Sequence, residues 1–133
     1  MDFLGFSAEA MSPAGRLLMD LTNPVQKMFN QRFKDKIYCA DIDEIFVVFV
    51  CFPEECFYKE RKYVSHKNRY ADMRLYIDYD EFLKADIPER IKMIYSIIER
   101  AVDITAERVP SLKKDELLED IMLCINKVHS CRE

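Results

Sequence analysis

The chain has 133 residues, half of them apolar and a third charged, and carries a formal charge of −4 from 24 acids and 20 bases. That composition describes one globular domain (1–133) large enough to fold without staples, and it excludes collagenous and disordered classes. Two glycines exclude a glycine-rich phosphate loop, and the negative balance disfavours general affinity for nucleic acid or anionic membranes.

The first expected element is a strand over Phe3 to Ala10, with Leu4, Phe6, Ala8 and Ala10 on its better-buried face. Ser12-Pro13 reads as an N-cap followed by proline at the first helical position. Leu17, Leu21, Val25, Phe29 and Phe33 then recur at intervals of four, so one apolar helical face runs to about Lys34. Pro24 is expected to kink or split that helix.

Glu44 to Phe52 is the stretch around which the rest is organised. Ile45 to Phe52 carry no polar side chain, and most are β-branched or aromatic, which predicts a central strand apolar on both faces. After a Pro53-Glu54-Glu55 turn, Phe57 to Ser65 reads as a polar edge strand. Ala71, Met73, Leu75, Ile77 and Tyr79 alternate with Asp72, Arg74, Tyr76, Asp78 and Asp80, predicting a strand with one buried and one wet face.

Asp86-Ile87-Pro88-Glu89 is a capping arrangement opening a helix with a stripe from Ile91 to Thr105. Pro110 ends it, and Ser111 is expected to cap a last helix with Leu117, Leu118, Ile121, Cys124, Ile125 and Val128 inward. The expected fold is therefore α+β, in the order β-α-β-β-β-α-α, with an antiparallel meander of three strands plus an N-terminal strand packed against three helices.

Five cysteines at irregular spacings point to reduced thiols. The Met1-Asp2 start has no basic region and Phe3 to Phe6 is too short for a secretory core, so a cytoplasmic protein is expected. No run reaches the ~18 apolar residues of a membrane span.

Asp78 and Asp80, two apart at a strand end with Glu81 beside them, could hold a divalent ion or do acid–base work. The commoner meaning of such a trio is a solvated strand end, and a third is an acidic rim that attracts a basic protein. Cys124, His129 and Cys131 miss the paired spacings of zinc sites, and His129 is expected in a fraying helix end. The hairpin from Tyr58 to Tyr70 mixes Lys59, Arg61, Lys62, Lys67 and Arg69 with Tyr58, Tyr63 and Tyr70, as single-stranded nucleic-acid platforms do; a charged strand that protects a sheet edge reads the same way. No cofactor or metal is assigned.

From Tyr70 to Ile104 the text contains an Asp-x-Arg-Leu-x-Ile-Asp strand (Asp72, Arg74, Leu75, Ile77, Asp78), a following Tyr79-Asp80-x-Phe82, and a long isoleucine-rich helix. It resembles small bacterial immunity proteins of polymorphic-toxin and contact-dependent inhibition systems. The resemblance implies a non-enzymatic inhibitor that binds the C-terminal domain of a toxin, with no nucleic-acid or membrane partner; homodimerisation stays open. Such families lend no catalytic motif, so the expected partner surface comes from the residues alone: Asp72, Arg74, Tyr76 and Asp78 on the wet strand face, with Asp80, Glu81 and the Glu54-Glu55 turn beside it.

Overall fold

The computed structural model describes residues 2–53 and 59–130. Its elements are β1 (Leu4–Ala10), α1 (Ala14–Arg32), β2 (Glu44–Cys51), β3 (Arg61–Ser65), β4 (Tyr70–Tyr76), α2 (Tyr79–Lys84), α3 (Ile87–Arg108) and α4 (Lys114–His129). The class is α+β as expected, but the sheet is mixed, and four helices stand where three were expected. Strand order is β1-β2-β4-β3, with β2 parallel to both β1 and β4 and only β3 antiparallel.

The meander expectation fails because polarity sorts the strands. Arg61, Lys62 and Tyr63 leave β3 too exposed for the sheet interior, whereas Ala71, Met73 and Leu75 of β4 are fully buried. The chain therefore carries β3 to the outer edge and folds β4 back between it and β2. α1 acts as the crossover that lets β1 and β2 run parallel.

All core-forming strand residues share one face: Leu4 and Phe6, then Ile45, Val47, Phe49 and Cys51, then Ala71, Met73 and Leu75. α1 lies against β1, α3 lies against β4 with lighter contact to β2 and β3, and α4 packs chiefly on α1 and α3. The opposite sheet face has no helix on it among the described residues.

α1 continues through Pro24 unsplit. Pro24 and Asp20 both point outward, so the carbonyl that loses its partner faces water. No side chain caps this helix, Pro13 being its flanking residue in place of Ser12. Ser111 does not cap α4 either; its hydroxyl bonds Asp41 and lies 3.3 Å from Cys39 Sγ, and Lys113 flanks the helix. The Asp86 cap is present, its carboxylate accepting from Glu89 N at 2.9 Å. His129 is buried, its Nε2 lying 3.0 Å from the carbonyl of Leu21, so α4 is anchored where fraying was expected.

Both sheet edges are occupied by helix side chains. Asn30 accepts from Leu4 N at 3.2 Å and donates to Leu4 O at 2.8 Å, while Gln26 accepts from Phe6 N at 2.7 Å. Arg108 donates to the carbonyl of Lys62 on β3. These contacts blunt edges that would otherwise template further strands. Among the described residues no helix is long and apolar enough to cross a membrane.

Candidate functional site

Alternation within each strand sends every second side chain to the uncovered face of the sheet. The register aligns Gly5, Ser7 and Glu9 of β1 with Phe46, Val48 and Val50 of β2. Next come Asp72, Arg74 and Tyr76 of β4, and beyond them Tyr63 and Arg61 of β3, with Glu44, Tyr70 and Ser65 completing one end.

One half of this face is aromatic. Phe46 and Tyr70 meet edge to face at 6.5 Å between centroids, Tyr63 lies 5.8 Å from Tyr70, and the Arg61 guanidinium sits 4.9 Å over the Tyr63 ring. Phe46 remains 38% exposed and Tyr63 39% exposed. Large rings left open on a sheet surface are unusual in a surface with nothing to bind.

The other half is ionic. Arg74 reaches Glu9 across β2, spanning two strand spacings, or roughly 10 Å. The bridge lies diagonally over Val48 and Val50, which explains why both are buried on a face without helices. Asp72 stands between the halves: its Oδ1 is 3.4 Å from Arg74 Nε and its Oδ2 is 4.0 Å from Arg61 Nη1. Glu44, at the aromatic end, has its carboxyl held above the ordinary range, first by burial and then by the nearby charge of Asp2.

Three expected partner-binding residues, Asp72, Arg74 and Tyr76, thus come together on one surface. Asp78, Asp80 and Glu81 do not join them, because β4 ends at Tyr76. Asp78 is the N-cap of α2, accepting from Glu81 N at 2.8 Å, and Asp80 and Glu81 form that helix's first turn. The two aspartates therefore do not share a strand face, and among the described residues no group of three or more metal-binding side chains exists. They stand instead at the end where β2 and β4 finish, since Ile77 N still donates to Val50 O at 2.9 Å. The Cys51 thiol there is pushed up to about 11 by burial, with the charge of Asp78 adding. Glu54 and Glu55 lie outside the described residues.

The bases of the hairpin are dispersed. Lys62 points to the helix side and lies 3.8 Å from Glu60, and Arg69, at a positive φ of 61°, is held by both oxygens of Asp43 at 3.0 and 3.1 Å. Arg61 reaches the aromatic patch, and Tyr58 lies outside the described residues. Of Cys124, His129 and Cys131, whose spacing already argued against zinc, the first two are buried and Cys131 lies outside the described residues.

Glu9, Phe46, Tyr63 and Tyr70 were missed as members of this surface because their union depends on strand order. Phe46 in particular is hidden inside an apolar run, where nothing local marks it as outward-facing. With β4 placed beside β2, the even-numbered residues of Glu44–Cys51 fall on the wet face of Asp72, and the aromatic cluster follows.

The family model described as Immunity protein 44 matches residues 2–127. The chain belongs to that family. No curated protein and no solved structure matches it. For a member of the immunity protein 44 family, the open sheet face is the part of the described molecule with exposed rings, both charge signs and no internal element covering it.

Proposed function

We propose that this immunity protein 44 member binds the C-terminal domain of a cognate toxin in the cytoplasm of the bacterium that makes it, and neutralises the toxin by covering its active site. The observation that carries this reading is the open four-stranded face, where Phe46 and Tyr63 stand exposed and Tyr70 half-buried beside Asp72, Arg74 and Tyr76. Tyr and Arg are the side chains that most often anchor protein interfaces, and a rigid sheet presents them with little ordering cost. The protein contributes shape and charge and makes no bonds itself.

Area supports a wider footprint than the strands alone. Four strands of about seven residues cover a flat area of roughly 450 Å², against the ~800 Å² each partner gives to a stable interface of ordinary size. The acidic rim of Asp78, Asp80 and Glu81 widens the footprint, and its charge speeds encounter with a basic toxin. The test is co-expression with the C-terminal domain of a toxin for which a neighbouring gene is the candidate. Cells survive with the wild-type chain and die with a Phe46→Ala, Tyr63→Ala double variant that still folds. Survival with the double variant removes this face from the interaction.

A further inference from the structure

Asp72 occupies the middle of the open face in a setting that an ordinary surface ion pair does not have. Its register partners are Phe46 on β2 and Tyr63 on β3, and Tyr70 precedes it by two on its own strand. Its side chain is only 15% exposed. Oδ1 is buried and accepts no hydrogen bond, and the two cations beside it stand at 3.4 and 4.0 Å, too far to donate well. Arg74 gives its Nη1 to Glu9, and its buried Nε, which also makes no hydrogen bond, is the group that faces Oδ1. A carboxylate this desolvated with an unpartnered oxygen is costly, and a charged donor arriving from outside would satisfy Oδ2, the oxygen that is not buried.

The surrounding rings indicate which donor. The molecule's own Arg61 already places its guanidinium carbon 4.9 Å from the centroid of the Tyr63 ring, so the patch accepts a guanidinium over a ring face. Arginine, planar and forked, can stack on a ring and donate two bonds to one carboxylate; a lysine ammonium cannot do both.

We propose that Asp72, Phe46, Tyr63 and Tyr70 form an anchor for an arginine side chain of the bound partner, with Arg61 acting as an internal placeholder that the incoming guanidinium displaces. This rests on the reading of the open face as the toxin-binding surface. The anchor fixes where a basic element of the partner lands, and places its positive end over the centre of the sheet.

The test uses the whole chain, titrated with N-acetyl-arginine amide and with the neutral citrulline analogue, while ring resonances of Phe46, Tyr63 and Tyr70 are followed by NMR. Saturable shifts with the arginine compound, absent with the citrulline one, are expected. Asp72→Asn should weaken binding at least tenfold with the fold intact, and Arg61→Ala should tighten it by removing the competitor. Equal response to both compounds, no saturable shift, or indifference to Asp72→Asn overturns the anchor. So does a short single-stranded oligothymidine that shifts the same rings and binds the Asp72→Asn variant undiminished, because the patch is then a base-stacking platform. Toxin protection in cells is scored separately: protection by a chain that fails the titration sinks the anchor and leaves neutralisation standing, whereas a saturable arginine response in a chain that gives no protection does the reverse.

Discussion

Phe46 and Phe49 lie three residues apart on the same strand and have opposite fates. Phe49 is fully buried, with its ring 6.0 Å from Phe6 under the helices, whereas Phe46 stands on the other face with more than a third of its surface in water. The inner face is closed by α1 and α3 and is almost wholly aliphatic and aromatic. The outer face carries rings, two arginines and three acids, and is spanned by a bridge from Arg74 to Glu9. Under the proposed function, stability and recognition are assigned to different sides of one four-stranded layer. Substitutions should therefore separate cleanly into those that unfold the protein and those that disarm it.

The largest expected effect is on the inner side. Phe49→Ala leaves a cavity with no route to collapse between sheet and helices, and should cost about 3–5 kcal/mol, read as a lowered midpoint in urea unfolding. On the outer side, Phe46→Ala should leave that midpoint nearly unchanged while weakening toxin binding by about 2 kcal/mol, some thirtyfold in Kd by calorimetry. Matching losses of stability from the two variants would erase the distinction between the faces.

How much of this was legible depends on range. Elements set by local pattern were readable: the core run of β2, the edge character of β3, the alternation of Ala71, Met73 and Leu75, and the Asp86 cap. Strand order was not, because the parallel neighbours of β2 are set by a competition for the interior among strands distant in sequence. The short helix α2 was readable and overlooked. Asp78 and Glu81 stand in the same three-residue relation as Asp86 and Glu89, but the apolar alternation of Ile77 and Tyr79 masked the cap signal. Half of the open face was hidden for the first reason, and for the second Asp78 and Asp80 were expected on a strand when they belong to the cap and first turn of α2.

A smaller effect concerns how the two faces are tied together at the β3 edge. Glu60 accepts both guanidinium nitrogens of Arg100 on α3 at 2.8 Å and the backbone N–H of Tyr76 at 2.9 Å. Arg100 first, with Tyr76 N–H and Lys62 helping and burial opposing, holds the Glu60 carboxyl below its ordinary value of 4.5. A depressed carboxylate contributes stability that is complete above its unfolded-state value and is lost as pH falls through the lower folded one. Glu60→Gln should cost about 1 kcal/mol at neutral pH, since Arg100 is partly solvated. The gap between variant and wild type should close on acidification below 4.5, in urea titrations repeated across pH. A gap that persists undiminished at acid pH would show that packing, and not the carboxylate charge, joins α3 to the edge.

The finest test asks whether the recognition ring needs its seat. Phe46 lies across Gly5, its register partner on β1, and a Cβ added there would sit 2.8 Å from Cδ1 and 3.0 Å from Cε1 of the ring. Both atoms belong to a side chain with water on its far side, so the ring can swing away, and alanine suits a strand better than glycine does. Gly5→Ala should therefore shift folding stability by under about 0.5 kcal/mol in either direction. Yet the displaced ring no longer lies down beside Tyr70, and toxin affinity should fall several-fold. A Gly5→Ala chain that binds as wild type would mean that the ring is chosen by the partner on contact, and that the glycine opposite it serves only to keep the sheet surface flat.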